Sequence, residues 1–216
     1  MEKKTISKSV LKRLPVYLTY LKNLPESAPP NISATAMATA LGMGEVQVRK
    51  DLAMVSDGGR PKIGYLRESL IDDIEQFLGY DNTTDAVLIG AGKLGQALMG
   101  YQGFADYGLN ILAAFDIHPK TDHSDEGKPI YPIETLTAFC RSHKVLMGIL
   151  TVPAEHAQEA ADLLIACGIK AIWNFAPTHL DVPPHILIQN ENMAMSLAVL
   201  SVHLQAQIKE EKENKK

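Results

Sequence analysis

The stretch "LIGAGKLGQAL", Leu88 to Leu98, constrains the fold more than any other part of the chain. Gly90, Gly92 and Gly95 stand in GxGxxG spacing, which is weak alone because glycines recur by chance. Here the apolar run "AVLIG" precedes it and the amphipathic run "KLGQALMGY" follows, so the glycines fall where a strand gives way to a helix. In that context Gly90 allows a tight turn, Gly92 lets a pyrophosphate approach the backbone, and Gly95 lets the helix pack close to the strand. Ala91, Lys93 and Leu94 complete the loop. Its N–H groups and the positive end of the helix dipole favour an anion.

Downstream, short apolar runs alternate with helical ones. "LNILAAFD", "KVLMGILTV", "IKAIWNFAP" and "HILIQ" read as strands, and "PIETLTAFCRSH" and "AEHAQEAADLLIACG" as helices. The pattern predicts an α/β, Rossmann-like doubly wound parallel sheet over residues 81–190, covered on both faces. Asp116 ends the second strand, 26 positions after Gly90, near the ~20 expected of a ribose-binding acid. A carboxylate there accepts from both ribose hydroxyls and repels a 2′-phosphate, which favours NAD(H) over NADP(H). Ile117 follows it. The later strands end in Thr151, Val152 and Pro153, and in Asn174, Phe175, Ala176 and Pro177, where ligands sit in such sheets. CoA or another nucleotide is the alternative ligand.

The first part of the chain has a different character. Residues 1–66 hold ten Lys and Arg against five Asp and Glu, a net of +5, whereas residues 67–216 hold eleven against twenty, a net of −9. A basic head on an acidic body suits a polyanion. "SKSVLKRLPVYLTYLKNL" carries Val10, Leu11, Leu14, Leu18 and Leu21 at helical spacing, with Pro15 predicting a kink or a late start. "ISATAMATALG" is a short helix capped by Ser33 and stopped by Gly42. "GEVQVRKDLAMV" follows after a tight turn, which makes a helix-turn-helix. "SDGGRPKIGYL" reads as a hairpin wing with its tip at Gly58–Pro61. Together these give a winged-helix domain over residues 1–80. Val48, Leu52 and Val55 form the buried stripe of the second helix. Gln47, Arg49 and Lys50 are left for base edges and phosphates, with Arg60 and Lys62 on the wing and Arg13 on the first helix.

Little points to catalysis. The seven histidines show no ligand spacing such as HExxH, so no metal is expected, and Cys140 and Cys167 form no CxxC. No apolar run approaches the ~20 residues of a membrane span, and no apolar segment follows the charged start, which predicts a cytoplasmic protein. The dinucleotide then acts as a signal and not as a co-substrate. The terminal run "NMAMSLAVLSVHLQAQI" is an apolar helix beyond a finished sheet, with Met193, Leu197, Leu200, Leu204 and Ile208 on one side. Residues 191–216 are expected to form an exchanged dimer arm and a frayed charged tail, "KEEKENKK". The competing classes are a small NAD-dependent oxidoreductase and a nucleotide- or CoA-binding subunit.

"RLPVYL", "QVRKDL", the wing ending in "GY", "GAGKLGQAL", "YQGF", "FDIHP", "TVPAEHAQEAADLL" and "NFAPTHLDVP" together resemble the Rex family of redox-sensing transcriptional repressors. The resemblance implies a homodimer that binds an AT-rich palindromic operator when free or NAD⁺-bound and is released by NADH. It places Tyr101 near the nicotinamide. It also implies an arginine on the first helix paired with an aspartate at the start of the partner's terminal helix. Thr19 and Asn192 stand at those places here, and Met193 replaces a phenylalanine. An apolar pocket of Tyr101, Met193 and Met195 would prefer the neutral ring of NADH, because burying an unpaired charge is costly.

Overall fold

The computed structural model describes residues 6–213. They fall into two compact units, one formed by the chain up to Thr83 with Asp106–Gly108, the other by Thr84–Ala105 and the chain from Leu109 onward.

In the first unit, α1 (Lys8–Lys22) starts on Ser7, whose Oγ accepts from the Val10 N–H at 3.3 Å. Pro15 lies inside this single helix and does not delay its start. The carbonyl that proline leaves unpaired belongs to Leu11, on the exposed flank, where water can satisfy it. Leu11 is therefore not in the core; Tyr17 is, with Val10, Leu14, Leu18 and Leu21.

Strand β1 (Asn31–Ile32) precedes α2 (Ala34–Leu41), which Ser33 caps by accepting from the Ala36 N–H at 3.0 Å. Gly42 ends α2 at φ 63°, a left-handed turn that leads into α3 (Glu45–Val55). Next come β2 (Tyr65–Leu66) and α4 (Arg67–Leu78).

The wing departs from expectation. Its strand β2 pairs antiparallel with β1, not with residues 56–59, and the turn lies between Arg60 and Gly64. Pro29 and Pro30 hold the chain extended just before β1, which explains why Ile32 joins a strand and not the helix after it. The unit is a winged helix around Leu14, Met37, Val48, Leu52, Leu70 and Ile74.

The second unit runs β3 (Thr84–Ile89), α5 (Lys93–Gly100), β4 (Leu109–Asp116), β5 (Ile130–Pro132), α6 (Leu136–His143), β6 (Met147–Leu150), α7 (Ala154–Ala166), β7 (Ala171–Asn174), β8 (Leu187–Asn190) and α8 (Met193–Glu213). The six strands are all parallel in the order β5-β4-β3-β6-β7-β8.

Alternate residues of β3 serve opposite faces. Val87 and Ile89 pack with Leu136, Cys140, Ala161 and Leu164 of α6 and α7, while Ala86 and Leu88 pack with Met99 of α5. The chain leaves β3 toward one edge and β6 toward the other, so a crevice opens between their C-terminal ends. Strand β5, three residues long, carried too little periodicity to be read from sequence. Helix α8 continues to Glu213 through most of the tail expected to fray, consistent with the helix-forming Lys and Glu there. Positions 214–216 of that tail lie outside the described residues. Every residue of α8 from Met193 to Lys212 is exposed.

Candidate functional site

The glycine loop sits at the crevice between β3 and β6. Gly90 has φ 102°, and a Cβ there would lie 2.9 Å from Val152 Cγ1. A Cβ on Gly95 would strike the Gly90 carbonyl oxygen, so the helix approaches the strand only as glycine. Thr151 Oγ1 donates to the Gly90 carbonyl at 2.7 Å, which fastens the turn after β6 to the loop after β3. Gln96 Nε2 donates to the Ala91 carbonyl at 3.0 Å. No side chain caps the first turn of α5, where Lys93 and Leu94 are exposed, so its N–H groups face outward unpaired. That geometry suits a pyrophosphate.

Asp116 accepts from the Ala91 N–H at 2.8 Å through Oδ2 and from the His118 N–H at 2.9 Å through Oδ1. Each oxygen keeps further acceptor capacity for a ribose hydroxyl. Gly90, Gly92, Asp116, Ile117, Thr151, Val152 and Pro153 line one cavity of about 510 Å³. Ile133, His156, Glu159 and Leu163 also line it. These were missed because nothing in a helix or turn sequence marks a residue as facing a neighbouring strand's end.

The turn at "NFAP" is arranged differently from expectation. Asn174 is fully buried, donating to the Ala176 and Thr178 carbonyls and to Asn190 Oδ1, while its own Oδ1 accepts from the Ala176 N–H at 2.9 Å. Its hydrogen bonds are spent on the turn, and Ala176 is buried beneath it, so neither side chain reaches the crevice. Phe175 and Pro177 are the more accessible members.

Tyr101, 54% exposed, stands edge-on to Phe104 at 4.9 Å between centroids. Phe104 continues to Trp173 at 5.6 Å and Trp173 to Phe175 at 4.8 Å. Trp173 Nε1 donates to Glu191 Oε1 at 2.9 Å. This aromatic row was not foreseen, although "YQGF" and "IWNF" contain all four rings. Asn192, standing where the family resemblance implies an aspartate, caps α8 by accepting from the Met195 N–H at 3.0 Å.

In the first unit, Gln47, Arg49 and Lys50 are exposed along α3, with Arg49 ion-paired to Glu45 one turn back. Arg49, Arg60 and Lys62 line one groove of about 490 Å³ with the N-terminal residues of α2. Arg13 does not join them as a free cation. Its Nε and Nη2 donate to the two oxygens of Asp51 at 2.7 and 2.9 Å, and the Tyr17 hydroxyl donates to Asp51 Oδ2 at 2.8 Å. The carboxylate beside it raises the Arg13 pKa further. Burial, then the hydrogen bond to Asp51, pushes the Tyr17 phenol up to about 12.

Among the described residues no group of His, Cys, Asp or Glu is placed to hold a metal, and no helix is long and apolar enough to cross a membrane.

A winged helix with a cationic groove and a Rossmann sheet with a glycine loop, in one chain, define a nucleotide-responsive DNA-binding regulator. A family model described as "CoA binding domain" matches residues 81–178, and one described as "Putative DNA-binding protein N-terminus" matches residues 5–53. The redox-sensing transcriptional repressor Rex of Treponema denticola is 41% identical over 197 residues, 89% of this chain and 92% of that protein. The protein of that name from Porphyromonas gingivalis is 39% identical over 196 residues, 90% of each chain. The solved structure of RSP with β-NAD⁺ and operator DNA is similar with a TM-score of 0.87 and 34% identity over 99% of each chain. RSP with β-NADH is similar with a TM-score of 0.84 and 34% identity, over 97% of this chain and 99% of that one. The chain belongs to the Rex family of redox-sensing transcriptional repressors.

Proposed function

We propose that the chain represses transcription in the cytoplasm as a homodimer on an AT-rich palindromic operator, and leaves the DNA when NADH binds. The observation that carries this reading is the pairing of two sites in one chain. One is a glycine loop whose neighbour Asp116 can still accept from a ribose; the other is the groove of Arg49, Arg60 and Lys62. RSP, its structural relative, has been crystallised with β-NAD⁺ and operator DNA and with β-NADH.

In this reading, residues 1–80 meet the DNA, 81–190 hold the dinucleotide and 191–216 join the subunits. The pyrophosphate rests on Gly90–Gly95, the adenosine ribose on Asp116, and the adenine among Ile117, Thr151, Val152 and Pro153. Asn174 shapes the turn that presents Phe175 and Pro177. The apolar surface of α8 is covered by a second copy, which brings that copy's Met193 and Met195 to Tyr101. Oxidised nicotinamide is cationic and reduced nicotinamide neutral, so an apolar wall of Tyr101 and methionine favours the reduced form. The ligand moves the DNA equilibrium only by its differential affinity for the two states.

Fluorescence anisotropy of a labelled AT-rich palindromic duplex tests this at fixed salt. Binding that NADH reverses, and that NAD⁺ and NADPH leave in place, is the expected result. Absence of binding to any duplex, with NADH still bound, overturns it.

A further inference from the structure

We infer that Glu191 is a positioning residue, which couples the nicotinamide site to the root of helix α8 through its hydrogen bond to Trp173. The inference rests on the reading given above, in which Tyr101 faces the nicotinamide and α8 joins the subunits. The family resemblance implies an aspartate at the start of the terminal helix and an arginine on the first helix. Asn192 and Thr19 stand at those places and cannot form that ion pair, and Asn192 spends its side chain on the cap of α8. The acid lies one residue earlier. Glu191 Oε1 accepts from Trp173 Nε1 at 2.9 Å, and the Glu191 backbone N–H donates to the Asn174 carbonyl at 2.8 Å. Gln189 Nε2 reaches the same oxygen at 3.4 Å, a weaker contact. Glu191 is therefore fastened to β7 where the chain passes from β8 into α8.

The row of rings supplies the other end. Tyr101 meets Phe104 edge-on at 4.9 Å, Phe104 meets Trp173 at 5.6 Å, and Trp173 meets Glu191 through its N–H. All four residues belong to the second unit. Tyr101 is exposed, so a ligand ring that packs on it shifts the first member of the row against the second. Edge-on ring contacts tolerate a tilt. A hydrogen bond does not, because it weakens steeply once the N–H leaves the line to its acceptor. The Trp173–Glu191 bond thus forms only when the ring row and the root of α8 match in position. Such a bond is a coupling free energy between two elements, and a bond to a carboxylate is about twice as strong as a neutral one. Without it, each element moves alone.

The test uses the full chain and a labelled AT-rich palindromic duplex at fixed salt. The quantity read is the ratio of the DNA Kd at saturating NADH to the DNA Kd without dinucleotide. Saturation removes any change in NADH affinity from this ratio, and lost stability does not enter it while the chain stays folded. Glu191→Ala is expected to lower the ratio about tenfold or more. Glu191→Gln keeps a carbonyl oxygen for the indole N–H and is expected to retain more of the ratio than Glu191→Ala. Trp173→Phe keeps a ring, loses the donor and is expected to match Glu191→Ala. The double variant Trp173→Phe, Glu191→Ala is expected to fall no further than either single one, because all three remove the same bond.

A wild-type ratio in Glu191→Ala overturns the inference, and this includes an equal loss of DNA affinity with and without NADH, which would leave Glu191 a role in assembly alone. So do single effects that multiply in the double variant. A Glu191→Gln variant as deficient as Glu191→Ala would assign the effect to charge and also overturn it. If Trp173→Phe does not fold, the two Glu191 variants decide alone. Wild-type DNA binding that saturating NADH leaves intact, or no binding to any duplex, defeats the reading of an NADH-released repressor. Release by NADH that survives the loss of Glu191 defeats only this inference.

Discussion

Thr151 Oγ1 lies 2.7 Å from the Gly90 carbonyl oxygen and donates to it, so strands β3 and β6 are tied together at the point where their chains diverge. Thr151→Val keeps the shape and removes the donor. It should cost about 1 kcal/mol of stability and weaken NADH binding several-fold, while Thr151→Ser retains both. Thermal unfolding and calorimetric titration with NADH measure the two effects. Equal binding by Val and Ser variants would show that the tie does not shape the loop.

Asp116 accepts from the Ala91 N–H and, in the proposed reading, also from a ribose hydroxyl of the ligand. Asp116→Asn keeps an acceptor for Ala91 but loses the charge, whereas Asp116→Ala loses both. Both variants should lose their preference for NADH over NADPH, and only the Ala variant should also lose stability. Competition binding with the two reduced dinucleotides reads this out. A preference that survives in both variants removes Asp116 as the selector.

Tyr17 predicts an alkaline weakness. Its phenol rises from 10.0 to about 12 in the folded chain, so the folded state holds the proton more tightly than the unfolded one. The stabilisation is complete below pH 10 and is lost as pH rises from there through about 12. Tyr17→Phe should be less stable by about 1–2 kcal/mol at pH 8, with the gap to wild type closing above pH 10. Denaturant unfolding of both proteins across that range measures the difference, in which contributions from the other tyrosines cancel. A gap independent of pH would contradict the assignment.

Asn174 makes the fourth case. Asn174→Ala should leave the buried Ala176 N–H without its acceptor and cost about 2 kcal/mol. NADH affinity should fall with it, because Phe175 and Pro177 lose their support. A variant that loses stability but binds NADH as wild type does would place the turn away from the ligand.

The parts of this fold written in short range were readable. Ser33 and Gly42 bound α2, the run "LNILAAFD" matches β4 residue for residue, and the strand–glycine–helix order locates the loop. What escaped was set by partners far along the chain. Asp51 on the apolar stripe of α3 has a meaning only once Arg13, 38 residues earlier, is beside it. Ile32 joins a strand because Tyr65 is there to pair with it. Arg13 and Asn174 carry the polar groups that sites require, yet both spend them holding backbone and side chains in place. Residue type shows what a group can bind; only packing shows what it has bound already.

In the proposed dimer, helix α8 ties the molecule to its own abundance. Twenty consecutive residues, Met193 to Lys212, find no cover within their own fold. In the proposed homodimer a second copy buries this apolar surface, so its ordering is a bimolecular event whose contribution grows with the logarithm of protomer concentration. Dilution alone then erodes the fold, and a melting temperature has meaning only beside the concentration at which it was recorded. A cell that makes few copies has the less stable protein as well as the scarcer one.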